Sequence, residues 1–240
     1  MSRIHRAAAE GFSRSAEAYE RGRPEYPEAA IAYLVELVRP GATVLDLAAG
    51  TGKLTRPLVA AGLRVVAVEP VAEMRSALPG ALEGTAEAIP LGDGSVDAVT
   101  VGQAFHWFDG DAALAEIARV LRPGGLLALV WNRRVDEDPV NGAIEELIAP
   151  YRADTPAHRG GAWRTAFERT SAFTPLEEAT FEHLVVQDAD GLEARVGSIS
   201  FIASLDSAER EGVLERARAI AGDGEITVPY RTEVLTCRHV

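Results

Sequence analysis

Cysteine is nearly absent from this chain of 240 residues, and so are long apolar runs. The single cysteine, Cys237, excludes an intrachain disulfide and any metal site built from several cysteines. No apolar run approaches the roughly 18–20 residues that a membrane-spanning helix needs, so we expect no membrane partner. The basic N-terminus is not followed by an apolar core, which argues against a secretory signal and favours a cytoplasmic protein.

Positive charge is also in short supply. The chain has 24 basic and 36 acidic residues, a formal net charge of −12 and a pI of about 4.9. Such a surface repels a phosphate backbone, so the composition disfavours a nucleic-acid partner. The hydrophobic fraction of 47% is ample for a core. The length predicts one domain with an elaboration.

Apolar strand patterns alternate with amphipathic helix patterns along most of the chain, which predicts right-handed crossovers and a parallel sheet. The candidate strands are residues 43–48, 64–69, 81–85, 96–101, 126–131, 181–186 and 226–235, the last bent at Pro229. We therefore expect an α/β fold with seven strands, five parallel and the last two antiparallel, and helices on both faces. The predicted segments are a helical arm or lid at 1–40, a cofactor-binding core at 41–131, a helical cap insertion at 132–178 and a C-terminal part at 179–240.

The most informative segment is the small-residue turn at 44–53, which follows an apolar strand, together with the next strand, which ends on Glu69. Such a turn lets the backbone approach a nucleoside, and the acid accepts hydrogen bonds from ribose hydroxyls. A dinucleotide fold wants a third glycine where Thr55 stands, which disfavours a nicotinamide-dependent oxidoreductase. Asp46, which precedes the turn, also disfavours that alternative.

Four segments in order resemble the type 11 branch of class I S-adenosylmethionine-dependent methyltransferases, which includes ubiquinone and menaquinone C-methyltransferases and trans-aconitate methyltransferase-like enzymes. They are the turn at 44–53, Glu69-Pro70 with Met74, residues 84–99 and residues 119–125. The resemblance covers residues 10–131 well and the remainder loosely. It implies a Rossmann-like fold and methyl transfer from S-adenosylmethionine to a small-molecule acceptor, through an oxygen, nitrogen or carbon atom.

The resemblance also implies a cofactor site. Its expected members are Tyr19, Arg23, Asp46, Ala48, Gly50, Thr51, Gly52, Glu69, Pro70, Met74, Thr85, Ala86, Glu87, Gln103 and Ala104. Glu69, at the end of the second strand, would hold both ribose hydroxyls, and Asp46, at the end of the first, would lie near the methionyl ammonium. The turn residues would let the backbone approach the methionyl and ribose groups.

Two positions depart from the family pattern. Ala48 stands where relatives often have glycine, and alanine suits this place only if its φ stays below zero. Thr85 stands where many relatives carry aspartate; either its hydroxyl serves the adenine amino group, or that role shifts to Glu87. Pro70 and Met74 would enclose the adenine ring, although Met74 at this spacing also suits ordinary core packing. Ala86 would meet the ring edge through its backbone N–H, with Glu87 nearby.

The arm and the end of the fourth strand supply the remaining candidates. Tyr19 would approach the sulfonium and Arg23 the methionyl carboxylate, the alternative being an arm that packs on the surface without contact. His106 is the best candidate for a base, because an imidazole pKa near 6.5 allows proton removal at neutral pH. A structural histidine that binds its own loop is the alternative.

The sequence does not identify the acceptor. Five aromatic side chains fit either an acceptor cavity or ordinary core packing: Trp107, Phe108, Trp131, Trp163 and Phe167. Three arginines either bind an acidic acceptor or are simply exposed to solvent: Arg133, Arg134 and Arg164. A protein that binds the cofactor without transferring methyl, as a scaffold or for a reaction such as a cyclisation, also remains open, as does the oligomeric state, a homodimer included.

Overall fold

The computed structural model describes residues 16–152, 155 and 158–240. The part of the predicted arm before residue 16 lies outside this range, as do four positions of the predicted cap insertion.

Six strands form one sheet in the order β2-β1-β3-β4-β6-β5. Their bounds are β1 Thr43–Leu47, β2 Arg64–Val68, β3 Val96–Gly102, β4 Leu121–Arg134, β5 Glu177–Gln187 and β6 Ile226–Arg238. The first four strands are parallel, and β6 runs antiparallel to both β4 and β5. Leu45, the middle residue of β1, pairs with Val66 of β2 on one side and with Val99 of β3 on the other. The expected mixed α/β, Rossmann-like sheet is confirmed in this form.

The expectation of seven strands is wrong, because residues 81–85 do not form a strand. Only Leu82 pairs with the sheet, through a single parallel bridge to Val68. Its amide donates to the Ala67 carbonyl, and its carbonyl accepts from the amide of Glu69. This segment is short and lies at the sheet edge, and Leu82 is 39% exposed, so little apolar burial holds it there. The parallel part of the sheet therefore has four strands, with one bridged residue beyond.

Helices cover both faces of the sheet. Their bounds are α1 Ala16–Gly22, α2 Glu28–Leu37, α3 Thr55–Ala60, α4 Ala72–Ser76, α5 Gly110–Val120, α6 Pro139–Ile148, α7 Thr165–Arg169, α8 Ala189–Gly197, α9 Ser200–Ala203 and α10 Ser207–Ala221. Short 3₁₀ turns lie at Phe105–Trp107, Ala149–Tyr151, His158–Gly160 and Ala162–Arg164. Asp206 caps the start of α10, since the Glu209 amide donates to its carboxylate at 3.0 Å.

Strand β4 separates two apolar cores, because its side chains alternate across the sheet. Leu127 and Leu129 pack on one face with helix α5, and Leu126 and Ala128 on the other with α2 and α3. A third cluster joins α6, α8, α9 and α10 beside the sheet. Helix α2 contributes Ile31 to the second core, where it is buried.

Helix α1 lies directly on α8. A Cβ added to Gly22 would come within 2.2 Å of the Arg195 amide nitrogen and 2.5 Å of the Ala194 carbonyl oxygen. Only glycine allows the two backbones to approach so closely. Arg23 then bonds Ser198, just past the end of α8, through its Nε to the hydroxyl at 2.9 Å. The described part of the arm is thus held against the C-terminal helices.

None of the helices in the described ranges combines the length and apolar character needed to cross a membrane.

We expect Leu127→Ala to lower the free energy of unfolding by about 2–5 kcal/mol, because Leu127 is 0% exposed and its loss leaves a cavity in the first core. Urea unfolding measures the change. The matched control is Leu184→Ala on edge strand β5, where Leu184 is 69% exposed and the change should stay within about 0.5 kcal/mol. Equal losses in the two variants would contradict this packing.

Candidate functional site

A cleft opens where strands β1, β2 and β3 end, the edge at which open α/β sheets bind ligands. Its empty volume is about 780 Å³ when the open solvent at its mouth is included. Its walls include these predicted site residues: Tyr19, Ala48, Gly50, Glu69, Pro70, Met74, Thr85, Ala86, Glu87, Gln103 and Ala104. Val71, Gly84, Gly102, Trp107 and Phe108 complete the walls.

Glu69 joins the two strand ends at the floor of the cleft. Its carboxylate accepts from the Gly50 amide through one oxygen and from the Val71 amide through the other, each at 2.8 Å. Burial raises the pKa of Glu69, while the two amides and Arg75 oppose the rise. A carboxylate has about four acceptor sites, so both oxygens can take further donors.

Thr85 supplies a polar atom without a partner. Its hydroxyl oxygen is buried and makes no hydrogen bond with any residue that the structure describes, although Thr85 lines the cleft. A buried hydroxyl in this state costs free energy unless a ligand satisfies it. Met74 is buried and also lines the cleft, with Pro70 nearby. The far end of the cleft therefore combines apolar walls with one orphaned hydroxyl.

Two cleft residues other than glycine adopt positive φ, Ala48 at 57° and Gln103 at 61°. The expectation that Ala48 keeps φ below zero is wrong, because the chain must turn sharply after β1 to bring the Gly50 amide to Glu69. A left-handed conformation costs roughly 1–3 kcal/mol for such residues and concentrates at functional sites. Both strained residues follow neighbouring parallel strands, where they line one cleft.

Asp46 lies beneath the turn rather than in the cleft wall. It is 1% exposed and accepts from the hydroxyls of Thr55 at 2.5 Å and Thr100 at 3.1 Å. Burial raises its pKa to about 6, although the two hydroxyl donors act against the rise. Both of its carboxylate oxygens are engaged by the protein, so Asp46 supports the turn from below.

Three further predicted residues lie beside the cleft without lining it. Thr51 donates its hydroxyl to Glu20 at 2.5 Å, and Gly52 turns at a φ of 92° with Leu78 directly against it. Arg23 lies 5.2 Å from the centre of the Tyr19 ring and lines a smaller neighbouring void. The arm and the turn thus meet through polar contacts at the back of the cleft.

His106 does not line the cleft, and it lacks the pKa near 6.5 on which its predicted role as a base depends. Burial, together with the charges of His158 and Arg23, lowers its pKa to about 3. Its Nδ1 is buried without a hydrogen-bond partner. A group with so low a pKa accepts a proton poorly at neutral pH.

The candidate acceptor residues divide between the cleft and the core. Trp107 and Phe108 line the cleft, whereas Trp131 and Trp163 are buried and Phe167 packs against the first core. The candidate arginines have protein partners: Arg133 pairs with Glu233, Arg134 with Glu145 and Arg164 with Glu178. These three do not point to an acidic acceptor.

Sequence reasoning missed Arg195, which lines the small void beside Arg23. It is 6% exposed and donates from Nε to the Tyr230 hydroxyl at 3.1 Å. In sequence it is one of many arginines on a helical pattern, so no local signal sets it apart. The long-range packing of α8 on the arm brings it to the site.

Replacing Ala48 with glycine should stabilise the protein by about 0.5–1 kcal/mol, because relief of the positive φ exceeds the entropic cost of glycine. Urea unfolding of Ala48→Gly gives the gain. The neighbouring Ala49→Gly is the control, since Ala49 has no positive φ and glycine there should cost about 0.5–1 kcal/mol. A loss of stability in both variants would argue against the strain.

The raised pKa of Asp46 predicts a pH-dependent stability. A raised acid pKa stabilises the folded state below the ordinary value of 3.8, and this contribution disappears as pH rises through about 6. Asp46→Asn removes that titration, so its stability relative to the parent should rise by on the order of 2–3 kcal/mol between about pH 4 and pH 7. Unfolding at several pH values measures this difference.

Asp97→Asn provides a control of opposite sign. Although burial opposes it, the Thr43 amide with Arg39 and Arg122 holds the pKa of Asp97 below its ordinary value. The stability that Asp97 contributes is therefore present above its ordinary pKa and is lost as pH falls. The stability of Asp97→Asn relative to the parent should accordingly decrease as pH rises. A flat difference for Asp46→Asn would show that Asp46 is ionised at low pH like an ordinary aspartate.

Comparison with known proteins identifies the family. Residues 45–129 match the family model described as a methyltransferase domain. An uncharacterized methyltransferase of Mycobacterium tuberculosis is 42% identical over 234 residues, 92% of each chain. A Schizosaccharomyces pombe methyltransferase-like protein is 36% identical over 204 residues, 81% of this chain and 79% of its own.

A solved structure from Anaeromyxobacter dehalogenans, assigned as a type II methyltransferase, has a TM-score of 0.66 and 26% identity, covering 90% of this chain and 97% of that one. Together with the turn after β1 and the acid that ends β2, these likenesses show that the chain belongs to the type 11 branch of class I S-adenosylmethionine-dependent methyltransferases.

Proposed function

We propose that this methyltransferase holds S-adenosylmethionine in the cleft through Glu69 and transfers its methyl group to a small molecule in the cytoplasm. The observation that carries the proposal is the bond between Glu69 and the Gly50 amide, which joins the two motifs expected to hold one sugar. The cleft has the size and the polar groups for such a ligand.

The ribose would bind at Glu69. Its two oxygens each retain acceptor capacity beyond the amides that they already engage. Two ribose hydroxyls are the donors that match this pair, and bonds to a charged acceptor contribute about 1.5–3 kcal/mol each. Ala48 and Gly50 beside it have little or no side chain, so the backbone would lie against the sugar.

The adenine would occupy the end of the cleft near Thr85. The orphaned Thr85 hydroxyl would bond the adenine amino group, which supplies the donor it lacks. Met74 and Pro70 would cover the ring, and Ala86 would meet the ring edge through its backbone, with Glu87 alongside. This fit uses a polar atom that the protein itself leaves unsatisfied.

The methionyl group would extend the other way, between Gln103, Ala104 and the arm. Tyr19 would lie against the sulfonium, since it lines the cleft, and Arg23 would take the carboxylate from the void next to it. The buried Asp46, with Thr51 and Gly52, would support the turn from behind rather than contact the cofactor. In this proposal the arm acts as a lid that excludes water from a reactive electrophile.

The bound cofactor supplies an activated methyl group, so the protein has little covalent chemistry to perform. Its side chains would hold the acceptor in line with the methyl group, and positioning of this kind can remove about 7–11 kcal/mol of a barrier. Trp107 and Phe108 give that space apolar aromatic walls, which suits a small organic acceptor. With its lowered pKa, His106 would help to shape this region, and we assign it no role as a base.

Glu69→Ala should weaken binding of S-adenosylhomocysteine at least tenfold, because the variant loses both acceptors for the ribose hydroxyls. Isothermal titration calorimetry measures the affinity, and thermal unfolding reports whether the variant is folded.

Glu73→Ala is the matched control, an exposed glutamate on the adjacent helix α4, and should bind like the parent. If folded Glu69→Ala binds as tightly as Glu73→Ala, Glu69 does not hold the cofactor. If the parent protein binds no S-adenosylhomocysteine at all, the cleft is not the cofactor site.

A further inference from the structure

A second void lies behind the cleft and shares Tyr19 and Gln103 with it as walls. Its empty volume is about 290 Å³ when open solvent is included, of which about 10 Å³ admits the centre of a water-sized sphere, room for one small polar group. Three cationic side chains line it, Arg23, Lys53 and Arg195, and none of the described residues in its walls is acidic. A small enclosed space with this lining favours an anion.

Arg195 has no counter-ion among the described residues. Its Nε donates to the Tyr230 hydroxyl at 3.1 Å, and its Nη1 is buried without a hydrogen-bond partner. Within the described ranges no carboxylate lies within ion-pair distance of it, whereas Lys53 pairs with Glu25 at 2.5 Å. A buried and unpaired charge costs several kcal/mol, so such a group calls for a ligand.

Arg23 increases the need for an anion. It bonds the hydroxyl and the carbonyl of Ser198, at 2.9 Å and 3.1 Å, and neither partner is charged. Burial, together with the charge of Arg195, lowers its pKa to about 10. The two guanidinium groups therefore repel each other, and a carboxylate between them would relieve the repulsion of both.

The cofactor alone does not neutralise this void. Its sulfonium and ammonium groups are positive and its single carboxylate is negative, so S-adenosylmethionine brings a net positive charge at neutral pH. If Arg23 takes the methionyl carboxylate, Arg195 still lacks a counter-ion. An acidic group on the other substrate would supply that counter-ion.

We propose that Arg195 binds a carboxylate group of the methyl acceptor, so that the substrates of this enzyme are small organic acids. This inference rests on the proposed function, because it takes the cleft as the cofactor site. The acid would extend from the aromatic walls of the cleft, past Gln103, to the guanidinium of Arg195. Arg195 would bind and orient the acceptor, and it has no part in the bond changes.

The test uses three acids of different shape, phenylacetate, succinate and citrate, each compared with its uncharged amide. Calorimetry measures their binding to the parent protein saturated with S-adenosylhomocysteine. We expect at least one acid to bind at least tenfold more tightly than its amide. If every acid binds no better than its amide, the proposal is overturned.

The variant is Arg195→Gln, which keeps a polar side chain and removes the charge. It should lose at least tenfold in affinity for the acid that the parent prefers, and Arg195→Lys should restore part of the loss. Arg231→Gln is the control, an exposed arginine on β6 whose partner is Glu182, and should bind like the parent. Thermal unfolding of each variant without ligand reports whether it is folded.

The two sources of a carboxylate are separated by comparing S-adenosylhomocysteine with 5′-methylthioadenosine, which lacks the amino-acid group. If Arg195→Gln weakens only the former by tenfold or more, the void takes the carboxylate of the cofactor, and the proposed acceptor site is wrong. Unchanged affinity for all probes would also overturn it. Absence of S-adenosylhomocysteine binding by the parent would instead refute the proposed function, which keeps the two failures distinct.

Discussion

The carboxylate of Glu69 connects the turn after β1 to the start of α4, and the shape of the cleft depends on that connection. One oxygen receives the Gly50 amide and the other the Val71 amide, each at 2.8 Å. Because both amides belong to segments that leave parallel strands, the acid fixes how far apart the two strand ends open. The same oxygens face the cleft, so one side chain both builds the floor and presents it to a ligand.

The parallel part of the sheet could be predicted because its strands are buried on both faces and appear as short apolar runs. The same argument failed at residues 81–85, where Leu82 alone reaches the sheet. A sheet edge gains little from burial, so apolar composition is a weak guide there. The turn and Glu69 were predictable for a different reason, since their residue types follow from the close approach of a backbone to a ligand.

The features that were not predictable all depend on distant parts of the chain. The positive φ of Ala48 follows from the position of Glu69, and the low pKa of His106 follows from burial and from neighbours brought by the fold. Arg195 became visible only when α8 was placed against Gly22, because nothing near it in sequence marks it as special. Motifs identify residues that touch a shared cofactor, whereas substrate-specific residues depend on packing.

Several costs to stability are concentrated around one end of the sheet. Ala48 and Gln103 hold strained backbones, Asp46 is a buried acid, Thr85 has an unsatisfied hydroxyl and Arg195 has no counter-ion. Buried polar atoms without a partner among the described residues also occur elsewhere, on Trp131, Asn141 and His183 for example, so this cost alone does not mark a site. The strained backbones are more selective, because a fold keeps such strain where function requires it, and Ala48 and Gln103 both line the cleft. The orphaned Thr85 hydroxyl and the unpaired Arg195 then define its two ends, one neutral and one cationic.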